Sequence, residues 1–170
     1  YGGRPDQLFL AGHSAGGHLA ALVATDPTYL QEMGMQVGDL KGVITSSGVY
    51  RIPEDSLALT LGGPAPRGFW LDQVLPPRSE RSPSWANRSW IPGLPIRLDL
   101  FGPVFTVDPE LRQQASPVTH VRPGLPPFLI LVAENDLPTL AELAEEFHAA
   151  LVQQGSETQF LRIPNRNHSS

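Results

Sequence analysis

Residues 12–16, Gly12-His13-Ser14-Ala15-Gly16, spell G-x-S-x-G. A serine in this pattern is a candidate nucleophile for attack on an acyl carbon. A chain of this composition holds about 0.1 chance matches to three such fixed positions, so the string needs context. The context is favourable. Residues 7–11 (Gln-Leu-Phe-Leu-Ala) read as a short buried strand, opened by the turn signal Pro5-Asp6 and ended by Gly12. Residues 15–25 read as a helix that is nearly all apolar and so expected to be buried, stopped by Asp26-Pro27. Strand, sharp turn and helix are what lifts a serine hydroxyl above a sheet edge. The flanking glycines permit the turn and a close helix approach because they lack Cβ. The turn also aims the Ala15 backbone N–H at the developing oxyanion, near the positive end of the helix dipole. The plainer alternative is a Ser14 helix cap within a glycine turn.

A serine hydroxyl needs a base to act at neutral pH. Five histidines are available: His13, His18, His120, His148 and His168. His13 is the variable position of the motif and His18 rides the helix after it. His120 follows Ser116-Pro117-Val118-Thr119 and reads as structural. His148 falls on the polar side of a helix and reads as solvated. His168 follows the last strand, in the polar run Asn165-Arg166-Asn167, where the order Ser…Asp…His puts a base. The base in turn needs a carboxylate to fix its tautomer and stabilise its charged form. Asp136, three residues past the strand at 128–133, is the expected partner, and Glu134 is close enough to compete.

The elements that must position these groups repeat one theme. Residues 42–46 (Gly-Val-Ile-Thr-Ser) read as a second buried strand ending near Gly48. Residues 128–133 (Phe-Leu-Ile-Leu-Val-Ala) are the clearest strand in the chain. Thr139-Leu140-Ala141-Glu142 fits a capping box, with Thr139 as N-cap and Glu142 at N3. The helix it opens carries Leu140, Leu143, Ala144, Phe147, Ala150 and Leu151 on one face, and Gly155 stops it. Thr158–Ile163 is a third strand. Strand, helix, strand, long excursion, strand, helix, strand predicts a parallel sheet with covering helices. Chemistry in such sheets sits at the carboxyl ends of the strands.

From Arg51 to about Arg122 periodicity fails. Glycine and proline make up 34 of 170 residues, and thirteen of the eighteen prolines lie between Pro64 and Pro127. Runs such as Leu57–Leu61 and Phe69–Leu75 could form helical turns. Trp70, Trp85 and Trp90 sit among prolines and arginines; they either pin this insertion or line an acyl or aryl pocket. A lid, a binding loop and a linker all remain open for the stretch.

Composition excludes several classes. With 41% apolar and 17% charged residues the 170-residue chain is a globular domain rather than a disordered one. A net charge of −5 gives nucleic acid no electrostatic support. No apolar run reaches the roughly 18 residues of a membrane span. Without cysteine there are no disulfides, thiolates or cysteine–zinc sites, which is compatible with the cytoplasm. The histidines show no H-x₃-H spacing, so neither metal nor cofactor is expected. The acceptor strings Asn87-Arg88-Ser89 and Asn167-His168-Ser169 read as chance. The chain starts at Tyr1 and ends at Ser170 with no closing element, which points to a segment of a longer reading frame.

Tyr1-Gly2-Gly3-Arg4-Pro5-Asp6, running into Gly12-His13-Ser14-Ala15-Gly16-Gly17-His18-Leu19-Ala20, resembles the elbow region of α/β-hydrolase carboxylesterases. The branch it resembles holds feruloyl-esterase-like enzymes, kynurenine formamidases and hormone-sensitive-lipase-like esterases. Residues 115–121, Pro126-Pro127-Phe128, Asp136-Leu137-Pro138 and Arg166-Asn167-His168 resemble that branch too. The resemblance implies a partial α/β-hydrolase fold over residues 1–170, the C-terminal half of a mostly parallel sheet, with the Pro-rich insertion at about 51–115. It also implies that Ser14 is the nucleophile, Asp136 the acid and His168 the base, with the Ala15 amide in the oxyanion hole. The family's His-Gly-Gly-Gly loop and first strands lie upstream of the elbow and are not in this chain. The stretch 51–100 is longer than the usual connection. The expected function is hydrolysis of small carboxylic esters through an acyl-enzyme, with no cofactor. A formamidase would use the same parts, and an acyltransferase would differ only in what replaces water. A non-catalytic binding protein on the same fold, or an inactive fragment, is the alternative.

Overall fold

The structure, a computed structural model, describes residues 2–53, 57–60, 95–98, 104–137 and 139–170. Strands β1 (Leu8–His13), β2 (Leu40–Ser46), β5 (Phe128–Asn135) and β6 (Thr158–Asn167) form one sheet in the order β1-β2-β5-β6. Every neighbouring pair in it is parallel, as expected. The register sets Leu10 beside Val43, Val43 beside Phe128, and Ile130 beside Phe160. Strands β3 (Leu57–Thr60) and β4 (Pro95–Leu98) pair antiparallel in a separate two-stranded sheet. Leu57–Thr60 is therefore extended, not a helical turn: a short apolar run does not declare its period, and a partner strand decides. Trp70, Trp85, Trp90, the Asn87 acceptor and the run 69–75 lie outside the described residues.

Helix α1 (Ala15–Thr25) and helix α4 (Leu140–Gln153) match their expected spans closely. Between them come α2 (Pro27–Glu32) and α3 (Pro109–Gln114), neither foreseen. Asp26-Pro27 does end α1, but it also opens α2. The Asp26 carboxylate accepts the Thr28 N–H at 3.0 Å, and Pro27 occupies the first turn. Asp108-Pro109 does the same for α3 inside the tract expected to be irregular.

The core lies on one face of the main sheet. Ala20, Ala21 and Ala24 of α1, and Leu143, Ala144, Phe147 and Leu151 of α4, pack with Val43, Phe128 and Ile130. Tyr50 stacks on Phe147 with ring centroids 4.6 Å apart, and Phe128 meets Phe147 edge-on at 5.4 Å. Burial alternates along β1, and Phe9 is 58% exposed, so β1 is not a wholly buried strand. Ile44 of β2 and Leu161 of β6 are also exposed, and Leu19 of α1 faces out. Side chains on a strand alternate between faces, and the helical core covers one of them.

Candidate active site

Three connections at the carboxyl ends of β1, β5 and β6 bring together Ser14, Asp136 and His168. Ser14 directly follows β1 and takes φ 55°, ψ −118°, a left-handed conformation that strains a residue with a Cβ. Its N–H donates to the Ser46 carbonyl at 2.8 Å, and its own carbonyl accepts from the His18 N–H at 3.0 Å. The turn closes only because of glycine. A Cβ on Gly12 would sit 2.1 Å from the Gly16 carbonyl oxygen. One on Gly48 would meet Gly17 and His18 backbone at 3.1 Å, as β2's exit passes under α1. Gly16, by contrast, has open space around it, so the tight approach runs through Gly12, Gly17 and Gly48. The Ser14 side chain does not cap α1. Instead its Oγ lies 2.9 Å from His168 Nε2.

His168 follows β6, which runs on to Asn167 rather than stopping at Ile163. Its Nδ1 donates to Asp136 Oδ1 at 2.7 Å. That bond leaves Nε2 free to accept from the serine hydroxyl. The His168 side chain is 16% exposed and that of Asp136 only 2%. Asp136 has further donors: Leu137 N–H on Oδ1 at 2.8 Å, and on Oδ2 the Ala133 N–H at 3.1 Å and the Ser47 hydroxyl. Burial works to raise the Asp136 carboxyl, but these donors together hold it below the ordinary carboxylate range.

The other candidates go elsewhere. Glu134 is turned to the Asn165 N–H, which it accepts at 2.7 Å. His13 Nε2 donates to the His168 carbonyl at 2.8 Å, and the two rings lie 4.9 Å apart. His18 is buried and its Nδ1 donates to the Val49 carbonyl at 2.6 Å. Burial pushes its pKa down, although that hydrogen bond opposes the shift. His120 donates to the Gln114 carbonyl at 2.6 Å, the structural place expected of it. His148 is half-buried rather than solvated, 3.2 Å from the Thr158 hydroxyl. The expected capping box at Thr139 does not form. Thr139 takes φ 72° and its side chain makes no capping bond. A capping residue needs extended φ/ψ to turn its oxygen onto the helix N–H groups, and the left-handed turn after Asp136 denies it that.

A cavity of about 280 Å³ borders the histidine, lined among others by His13, Ser47, Leu131, Ile163 and Arg166. Among the described residues, no cluster of three or more His, Cys, Asp or Glu could hold a metal ion. Serine hydroxyl, imidazole and buried carboxylate lie in one hydrogen-bonded run, a geometry in which the imidazole could take the hydroxyl proton while the carboxylate orients it.

The sequence model of the alpha/beta hydrolase fold family matches residues 1–170. The chain belongs to the α/β-hydrolase family. Its sheet and helices are part of that fold. Esterase LipQ of Mycobacterium tuberculosis is 27% identical over 175 residues, covering 99% of this chain and 34% of the relative. Esterase LipC of the same organism is 28% identical over 174 residues, covering 99% of this chain and 36% of the relative. The solved esterase of Pyrobaculum calidifontis superposes with a TM-score of 0.58 at 23% identity, over 96% of this chain and 45% of that one. The chain thus spans about a third of the length of the two M. tuberculosis esterases. The G-x-S-x-G turn lies between β1 and α1, the strand–turn–helix order expected around it. Ser47, whose hydroxyl donates to Asp136, is not among the residues that the sequence singled out. Its one signal was its place, just after a strand that ends at the same sheet edge.

Proposed function

We propose that the protein is a serine hydrolase that cleaves small carboxylic esters. Ser14 Oγ attacks the acyl carbon while His168 Nε2 takes its proton. Asp136 holds the imidazole tautomer and stabilises the imidazolium that forms. The tetrahedral oxyanion is met by the Ala15 N–H. As the first residue of α1, Ala15 carries an N–H with no acceptor inside the helix. His168 then returns the proton to the alcohol as the carbon–oxygen bond breaks, leaving the acyl group on Ser14. A water, deprotonated by the same imidazole, releases the acid.

The observation that carries this reading is the unbroken run of hydrogen bonds from Ser14 through His168 to a nearly buried Asp136. The strained φ of Ser14 supports it, since a serine that served only as a helix cap would be extended. The ester class is supported by similarity to proteins named esterases. Hydrolysis of p-nitrophenyl acetate and butyrate by the wild type and by Ser14→Ala tests it. The expected result is turnover that falls roughly 10⁴-fold or more in the variant. Turnover that survives Ser14→Ala would refute the assignment.

A further inference from the structure

We propose that Ser47 is a positioning residue that fixes the orientation of the Asp136 carboxylate. The inference rests on the triad reading above and extends it by one residue. Ser47 directly follows β2, the strand between those that deliver Ser14 and Asp136. Its backbone is pinned by an N–H bond to the Leu131 carbonyl at 2.9 Å. Its hydroxyl donates to Asp136 Oδ2, and the residue is 2% exposed. The two carboxylate oxygens then have separate tasks. Oδ1 takes the imidazole and the Leu137 N–H, while Oδ2 is held by Ser47 and Ala133. Without the hydroxyl, Oδ2 keeps, among the described residues, only the Ala133 N–H at 3.1 Å, and the carboxylate is freer to rotate away from His168. Misplacement of a catalytic group by about 1 Å can cost roughly 10²-fold in rate.

The backbone sharpens the argument. Ser47 has φ 51°, a conformation that favours glycine. If the position served only the turn, glycine would fit it with less strain. The serine side chain therefore has a use that outweighs the strain, and its bond is to Asp136.

Ser47→Gly separates the two roles, because it relieves the backbone and removes the hydroxyl. The expected result is a kcat lower by roughly 10- to 100-fold, the range for a hydrogen bond to a charged group. KM should stay within about twofold. Ser47→Ala, which keeps the Cβ, should lose kcat to a similar extent. In an Asp136→Asn background, Ser47→Gly should have no further effect, because the hydroxyl acts through the carboxylate. Unchanged kcat in both variants, or an equal loss with and without Asp136, would overturn the proposal. Those outcomes are read in an enzyme whose turnover depends on Ser14. A wild type whose turnover survives Ser14→Ala would instead refute the triad reading itself.

Discussion

At the residue scale the site divides a hard task between two opposed environments. Ser14 is held in a strained turn that exposes its hydroxyl to His168, while Asp136 is nearly buried and surrounded by donors. A buried carboxylate without such donors would take up a proton and lose its hold on the imidazolium. Asp136→Asn should therefore lower kcat by about 10⁴-fold, because the amide favours the wrong imidazole tautomer. Glu134→Gln should leave kcat within about threefold, since Glu134 bonds the Asn165 N–H rather than the imidazole. Steady-state kinetics on both variants checks the pair. Ser14 and His168 were legible because a motif and a chain order mark them. Asp136 was the expected partner by its place after the strand, with Glu134 as competitor, and the turn after β5 sends the two carboxylates to different partners. Ser47 was not legible, because one hydroxyl beside another in Ser46-Ser47-Gly48 carries no pattern.

At the element scale the elbow depends on how closely α1 approaches β1. Gly12→Ala drives a Cβ into the Gly16 carbonyl and should destabilise the fold by about 3 kcal/mol or more. Gly16→Ala meets nothing within 4 Å and adds a better helix former, so it should stabilise by roughly 0.5–1 kcal/mol. Urea denaturation of the two variants measures the contrast. The motif names both glycines, and only the three-dimensional approach tells them apart. The strands and long helices were readable because their apolar runs are bounded by glycine and proline. The short helices α2 and α3 were not, because each is 6 residues long and too brief to show a period. The capping box at Thr139 misled for a related reason. The residue types were right, but the left-handed turn at that point is fixed by the loop that carries Asp136.

At the scale of the whole molecule, the helices α1 and α4 and one sheet face form the core beneath the site, with Phe147 between Tyr50 and Phe128. Phe147→Ala should cost about 3–5 kcal/mol and lower the urea midpoint accordingly. Acid should weaken the fold in two steps. His18 is held below its ordinary 6.5 by burial, so the unfolded chain binds that proton more readily. Its contribution is complete above pH 6.5 and declines as the pH falls below that. Asp136 is held below 3.8, so its contribution is complete above that value and is lost as the pH falls through its folded pKa. Thermal midpoints across this range should show both steps, and His18→Gln should flatten the first. A Ser14 nucleophile activated by His168 would be captured covalently by an electrophilic phosphonate. The most direct measurement is fluorophosphonate labelling of the folded protein, with the adduct mapped by mass spectrometry. The expected result is one adduct on Ser14, lost in Ser14→Ala and strongly slowed in His168→Gln. An unlabelled folded protein, or an adduct on another serine, would contradict the claim.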